Sequence, residues 1–186
     1  NRELLTGYLA CYAQISRVKL NMLPKYIIDN CYEFSINQYE SSKDQYIKRN
    51  QKKENIINAI FKGKVTEWYV YQLLRSQSKP CIKPDMQILN KYNKSYDADL
   101  ISGNYRIHVK SCTEKTAKYF GMGWVFQKEE IKKYNNQDIF ALCLYKTPTD
   151  IIVVKWLNSS QAIYKDLSVD NKPSKCAIMY NKIKSL

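Results

Sequence analysis

The chain has 186 residues, 45% hydrophobic and 25% charged, which is long enough for one core and ordinary for a globular protein. Lys and Arg number 30 against 17 Asp and Glu, and the resulting net charge of +13 favours a polyanionic partner, either nucleic acid or an anionic membrane surface. A lysine-rich, AT-biased genome explains the same excess without any such partner. No run approaches twenty apolar residues, so we predict no membrane span.

The first third of the chain predicts helices. Residues 3–20 repeat apolar side chains at helical spacing, and Asn21 and Pro24 end that segment. Pro24 also suits the first turn of the next helix, where its missing N–H costs nothing. One stripe of that helix carries Ile27, Cys31, Phe34 and Gln38.

Residues 41–53 are polar and basic. They suit a solvated helix face or loop as well as a contact with the DNA backbone, and both interpretations stay open. The candidate nucleic-acid-binding residues of this segment are Lys48, Arg49, Lys52 and Lys53.

A third helix is predicted from about Glu54 to Arg75, and it places Glu67 on a partly apolar stripe. An unpaired buried carboxylate is costly. Glu67 therefore either reaches a cation or lies at the edge of the stripe, solvated or ion-paired.

The segment from Tyr96 to Cys112 predicts two strands joined by a tight turn at residues 102–104. Side chains alternate across a strand, so two carboxylates share one face of the first strand, and an imidazole and an ammonium share one face of the second. These groups belong to Asp97, Asp99, His108 and Lys110. Carboxylate and imidazole groups are metal ligands, and a lysine beside them can stabilise an anionic transition state.

The other segments predict a mixed fold. Residues 79–89 contain prolines and suit an extended edge strand, whereas 113–123 are polar. Trp124–Gln127 suits an aromatic strand before a short basic helix over 128–134. Two apolar strands, Ile139–Tyr145 and Ile151–Leu157, are joined by a turn, and the last thirty residues are weakly patterned.

The hairpin resembles the core motif of the restriction-endonuclease-like (PD-(D/E)XK) nuclease superfamily. In that family an Asp opens the second core strand, an acidic residue and a Lys lie one residue apart on the third, and a Glu often comes from the preceding helix. Asp99, His108, Lys110 and Glu67 match these positions. His108 replaces the usual Glu, Asp or Gln, and the Pro that often precedes the Asp is missing. The resemblance covers roughly residues 59–155.

This resemblance implies an α/β (α+β) fold with a mixed β-sheet flanked by helices and a helical N-terminal third. We expect a single domain over 1–186, with a basic helical part at 1–52, a catalytic core at 53–157 and a basic C-terminal segment at 158–186. The implied function is a divalent-metal-dependent DNA endonuclease of phage or restriction type. We expect such an enzyme in the cytoplasm of a bacterium or an infected host cell, without a membrane partner. Cutting both strands of a duplex calls for a homodimer.

The resemblance also implies a role for each motif residue. Mg²⁺ or Mn²⁺ would be held by Asp99, His108, Glu67 and Asp97, and Lys110 would orient the attacking water or neutralise charge on the phosphate. Asp85, in a literal Pro-Asp pair, is the rival of Asp99, but it is not on a strand predicted to pair directly with the Lys110 strand. Further candidate contacts with DNA are Lys115, Lys118 and Gln127.

Three alternatives remain. A lone histidine in a strand is often structural, and His108 would then mark the decayed site of a non-catalytic nucleic-acid-binding protein with a degenerate nuclease fold. A basic structural protein of a virus or phage would bind DNA without a metal effect. Sixteen tyrosines interleaved with lysines supply either stacking surfaces for unpaired bases or core aromatics.

The six cysteines are widely spaced, without a Cys-x-x-Cys pair, and the one histidine is too few for zinc-finger spacing. Several lie among apolar residues. We interpret them as reduced, mostly buried thiols of an intracellular protein.

Overall fold

The computed structural model describes residues 22–47, 51–89, 97–167 and 175–183, within which the elements are numbered. The predicted helix over 3–20 lies outside these residues. The helices are α1 (Lys25–Ile47), α2 (Lys53–Ser76), α3 (Glu114–Phe120), α4 (Lys128–Ile131) and α5 (Tyr180–Ile183). The strands are β1 (Leu100–Ser102), β2 (Tyr105–Thr113), β3 (Gly123–Gln127), β4 (Asp138–Thr147), β5 (Asp150–Asn158), β6 (Tyr164–Asp166) and β7 (Lys175–Met179).

Helices α1 and α2 pack on each other through their apolar stripes. Pro24 precedes α1, and its carbonyl accepts the first hydrogen bonds of the helix, from the backbone N–H groups of Ile27 and Ile28. Ile27 and Cys31 of α1 share one core with apolar residues of α2, among them Val65, Tyr69, Val70, Leu73 and Leu74. The predicted helix over 54–75 is therefore confirmed, with bounds that differ by one residue at each end.

The strands form two sheets. Four strands form a mixed sheet in the order β1-β2-β4-β5, in which only β2 and β4 are parallel, and three strands form an antiparallel sheet in the order β3-β7-β6. In the β1–β2 hairpin, Leu100 lies opposite Ile107, and Gly103 takes a φ of 59° at the turn, which glycine adopts without strain. The predicted fold class is confirmed as a mixed sheet flanked by helices with a helical N-terminal part.

Strand β2 has two different faces. Ile107 is fully buried in the core that contains α2, whereas Cys112 belongs to a second core with Trp124, Phe126 and Phe140. His108 lies on the side of the second core, with its ring centroid 6.0 Å from that of Phe140. Because side chains alternate along a strand, β2 presents His108 and Lys110 to the face away from α2.

Two local predictions need correction, and one helix is found that was not predicted. Residues 79–89 are not a strand, because Pro80 and Pro84 lack donors, and the described backbone contact with β1 is one hydrogen bond from Ile82 N to Ile101 O (2.9 Å). The first hairpin strand begins at Leu100, so Asp97 and Asp99 precede it. The polar 113–123 segment contains helix α3, whose first turn is capped by Thr113 accepting from Thr116 N at 3.1 Å.

The predicted strands of the second half are confirmed, whereas the short helix predicted over 128–134 ends earlier, as α4 (Lys128–Ile131). The two apolar strands before and after the turn are β4 and β5, each longer than predicted, and the aromatic strand is β3. The described cysteines are all free, and Cys31, Cys112, Cys143 and Cys176 are buried. Among the described residues, no helix has the length and apolar character needed to cross a bilayer.

Candidate active site

Two neighbouring cavities are lined by Glu67, Asp97, Asp99 and His108, whereas the predicted site residue Lys110 lines neither of them. The first, called the Glu67 cavity here, has a volume of about 360 Å³ and lies between α1, α2 and the residues that precede β1. Its charged lining residues are Lys64, Glu67, Lys83, Asp85, Asp97 and Asp99. Four carboxylates therefore face one space together with two lysines.

Glu67 is the most perturbed group of this cavity. Its side chain is 13% exposed, and its Oε2 accepts a hydrogen bond from Lys64 Nζ at 2.6 Å. Burial and then the negative charge of Asp99 raise the pKa of Glu67 to about 8, although Lys64 acts in the opposite direction. At neutral pH the carboxyl group of Glu67 therefore holds a proton that a bound cation would displace.

Asp99 is fixed from the strand side. Its Oδ2 accepts a hydrogen bond from the backbone N–H of Val109 at 2.7 Å, so the carboxylate is held at β2 between His108 and Lys110. Its charge acts on Glu67 of α2 as well. Asp99 is thus hydrogen-bonded to β2 and also acts electrostatically on Glu67 of α2.

The rival aspartate lies at the rim of the same cavity. Asp85 is exposed, its Oδ1 accepts from Gln87 N at 2.8 Å in a local turn, and its carbonyl accepts from Lys64 Nζ at 2.8 Å. The described hydrogen bonds of its carboxylate are therefore local, whereas the carboxylate of Asp99 contacts β2. This difference favours Asp99 as the motif aspartate.

The second cavity, called the His108 cavity here, has a volume of about 250 Å³. It is lined by Asp97, Ala98, Arg106, His108, Glu130, Lys133, Tyr134 and Asp138. Asp97 and Ala98 line both cavities, so the two spaces meet at the chain segment before β1.

Asp138 organises the His108 cavity. Its carboxylate is fully buried and accepts hydrogen bonds from Arg106 Nη2 (2.6 Å), His108 Nε2 (2.7 Å) and the backbone N–H of Asn135 (2.6 Å). Burial opposes its ionisation, but these donors, led by Arg106, outweigh it and lower the pKa of Asp138. An ionised carboxylate only accepts, so Nε2 of His108 carries its proton.

Lys110 lies beside this second network. Its Nζ is 3.6 Å from Oε2 of Glu130 and 5.3 Å from the ring centroid of Phe126. The same Glu130 oxygen accepts from the hydroxyl of Tyr134 at 3.3 Å. Lys110 is thus oriented by an acidic and an aromatic neighbour, neither of which was identified from the sequence.

The four predicted metal ligands are divided between the two cavities. Glu67 and Asp99 line the first, His108 lines the second, and Asp97 lines both. Within the described residues, no group of three or more His, Cys, Asp and Glu side chains is placed to hold a metal ion.

The donor chemistry of Glu67 and Asp99 nevertheless fits Mg²⁺ or Mn²⁺. Mg²⁺ often takes one or two protein carboxylates together with water and substrate phosphates. When Glu67 ionises, its carboxylate is repelled by that of Asp99, and a bound cation would relieve this repulsion. His108 fits less well, because Asp138 occupies Nε2 and leaves only Nδ1 for a metal.

Comparison of the chain with protein-family models, with curated proteins and with solved structures gave no match. The assignment of the site therefore rests on the residues themselves.

The candidate DNA contacts lie on several elements. Lys48 and Arg49 are outside the described residues, Lys52 is exposed, and Lys53 pairs with Glu40 at 2.6 Å, as a solvated helix face does. Lys115 and Lys118 are exposed on α3, and Gln127 is exposed where β3 ends.

Sequence reasoning missed the partners of the motif residues, above all Asp138 and Lys64. Asp138 carries one signal, since it is a charged residue directly before an apolar strand. Its contacts with Arg106 and His108 could not be predicted from the sequence, because the parallel pairing of β4 with β2 brings together residues that are distant in the chain.

Proposed function

We propose that the chain is a divalent-metal-dependent endonuclease with a restriction-endonuclease-like core that hydrolyses phosphodiester bonds in DNA. The observation that supports this most is the pairing of Glu67 with Asp99 across one cavity. The two residues come from a helix and from the start of a hairpin, and their mutual repulsion contributes to the raised pKa of Glu67. Strongly perturbed acids that line a cleft are typical of functional sites.

The order of the elements supports the same proposal. Helix α2 precedes the β1–β2 hairpin in the chain, and the backbone N–H of Ile82, in the segment between them, donates to β1. On the other side of β2 lies β4, which is parallel to it. This arrangement agrees with a helix that supplies a Glu, a strand preceded by an Asp, and a next strand that supplies a Lys.

Glu67 and Asp99 would hold Mg²⁺ or Mn²⁺. When bound, such an ion polarises the scissile phosphate and makes a coordinated water more acidic. Lys64 positions the Glu67 carboxylate, and the N–H of Val109 positions that of Asp99. Lys110 follows Val109 on β2 but faces away from α2, so its ammonium would have to turn from Glu130 toward the phosphate to neutralise the negative charge that develops there. The ligand role of His108 stays a prediction that Nδ1 alone can fulfil.

One observation favours the alternative, a DNA-binding protein with a degenerate nuclease fold. His108 stands where the family has an acidic residue, and it is bonded to Asp138 within a satisfied network. A protein of this kind would bind DNA without cleaving it.

Incubation of supercoiled plasmid and of single-stranded DNA with Mg²⁺ or Mn²⁺, with and without EDTA, tests the proposal. We expect cleavage that EDTA abolishes, and we expect Asp99→Asn and Lys110→Ala to lower the rate by about 100- to 1000-fold each. Asp85→Asn is the matched control, since it removes a carboxylate from the rim of the same cavity, and it should cleave normally. Wild-type turnover by Lys110→Ala, or an inactive Asp85→Asn beside an active Asp99→Asn, would contradict the assignment.

A further inference from the structure

Helix α3 exposes two adjacent aromatic side chains. Phe120 is 80% exposed and Tyr119 is 71% exposed, whereas Ala117 of the same helix packs against the second core. A small residue therefore anchors the helix, and its largest apolar side chains face solvent. Contiguous exposed apolar groups of this kind often mark a binding surface.

The aromatic pair is held by the backbone on both sides. Thr113 caps the first turn of α3, and Gly121 ends the helix with a φ of +79°, which L side chains rarely adopt. Directly beyond, the carbonyl of Met122 accepts a hydrogen bond from Tyr180 N at 2.9 Å. Tyr119 and Phe120 are thus displayed on a fixed turn, so little ordering is needed when they bind a partner.

Two lysines precede the pair on the same helix, which also carries one exposed acid, Glu114, in its first turn. Lys115 and Lys118 are exposed on the same helix, and Lys115 lies one turn before Tyr119 on the same side. The helix follows β2 directly, so it begins roughly 10 to 13 Å from Lys110 along that strand. This separation is short enough for one strand of DNA to span it in a few nucleotides.

We propose that Tyr119 and Phe120 stack on unpaired bases of single-stranded DNA, while Lys115 and Lys118 contact its phosphates. Aromatic side chains beside lysines are the common device for binding single strands, because every base has a face on which a ring can stack. The net charge of +13 and the two lysines on α3 favour DNA over a neutral protein partner. This inference rests on the proposed function for its choice of DNA as the polymer.

Fluorescence anisotropy with a labelled oligo-dT, in EDTA so that no cleavage occurs, tests this inference. We expect Tyr119→Ala/Phe120→Ala to weaken binding by roughly 5- to 150-fold per ring, with an unchanged dependence of affinity on salt. Lys115→Ala/Lys118→Ala should instead reduce the slope of log K against log salt by about 1.4. Tyr119→Phe/Phe120→Tyr should bind like the wild type.

Val125→Ala is the matched control, because Val125 is also an exposed apolar residue, at 49%, on strand β3. It should leave oligo-dT binding unchanged. Thermal melting of each variant verifies that the fold is retained.

Three results would overturn the inference. Oligo-dT affinity within twofold of the wild type for the double alanine variant would show that the rings do not stack. A loss of self-association with unchanged DNA affinity would make a second copy of the chain the occupant. An equal loss of affinity for blunt duplex DNA would show that unpaired bases are not the target. Normal oligo-dT binding without metal-dependent cleavage contradicts only the proposed nuclease, so the two failures are distinguishable.

Discussion

The Glu67 cavity and the His108 cavity meet at Asp97 and Ala98, yet their buried acids have opposite environments. Asp138 has three hydrogen-bond donors and a lowered pKa. Glu67 has Lys64 as its donor, Asp99 as a repelling neighbour and a pKa raised to about 8. The surroundings of Asp138 therefore stabilise its negative charge, whereas those of Glu67 do not.

This difference suggests a structural role for Asp138 and a functional role for Glu67. A buried carboxylate with full hydrogen bonding fixes the strands that supply its donors, so Asp138 holds β4 to β2. Two carboxylates that repel each other destabilise the fold, and such conflicts are concentrated at functional sites. Under the proposed function, the Glu67 cavity is the place of chemistry, and the His108 cavity orients the strand that carries Lys110.

The largest loss of stability is expected from Asp138→Ala. This change leaves the buried ring N–H of His108 and the guanidinium of Arg106, whose side chain is 43% exposed, without their acceptor, so we expect a loss of roughly 2 to 4 kcal/mol in the free energy of unfolding. Urea denaturation measures it. Asp150→Ala is the matched control, since Asp150 also opens a strand but pairs with Lys146 at 3.5 Å near the surface, and it should cost less than about 1 kcal/mol. Equal effects would contradict the special role of Asp138.

Glu67→Gln should change stability in a pH-dependent manner. Because the pKa of Glu67 is raised from 4.5 to about 8 in the folded state, the native protein holds more protons than the unfolded chain between these values, and stability falls as pH rises through that window. Gln removes this decline, so the variant should exceed the wild type by up to about 5 kcal/mol above pH 8 and approach it near pH 4.5. Urea denaturation across this range measures the difference.

Glu54→Gln, which alters an exposed carboxylate at the start of the same helix, is the control and should follow the wild-type profile. A Glu67→Gln variant that is less stable than the wild type at high pH would show that the Lys64 pair outweighs both the burial of Glu67 and the repulsion from Asp99.

Replacement of His108 tests whether this residue has a structural role in the His108 cavity. His108→Ala removes one donor from Asp138 and should cost about 1 to 3 kcal/mol, whereas His108→Gln offers an amide N–H and should cost less. His108→Glu places a second carboxylate opposite Asp138, whose Oδ1 is 2.7 Å from Nε2, and should be worse than alanine at neutral pH. If the free energy of unfolding is instead higher for His108→Glu than for His108→Ala, His108 belongs with the metal ligands.

The sequence was sufficient for the elements whose pattern is local. The period of α2, the turn at Gly103 and the apolar runs of β4 and β5 each arise from neighbouring residues, and each was predicted. The segment with Pro80 and Pro84 was misjudged, because an extended conformation without N–H donors leaves few bonds with which to join a sheet.

The candidate site was predictable only in part, for the same reason. Glu67 and Asp99 were proposed from the resemblance to the nuclease motif, and the structure brings them to one cavity. The surroundings of His108 and Lys110 were harder to predict. Alternation along β2 places both side chains on one face, but it does not reveal that they contact Asp138 and Glu130. Those partners come from distant segments whose position depends on the register between β2 and β4.

Titration with Mn²⁺, followed by the electron paramagnetic resonance of the free ion and by calorimetry in buffers of different ionisation heat, tests the Glu67 cavity most directly. At pH 7 we expect one Mn²⁺ site whose occupation releases nearly one proton, because Glu67, with its pKa near 8, must lose its proton to bind. Asp99→Asn and Glu67→Gln should each weaken this site by at least about tenfold, while Asp85→Asn should keep it. Unchanged Mn²⁺ affinity in Asp99→Asn, or binding without proton release, would contradict a metal centre formed by Glu67 and Asp99.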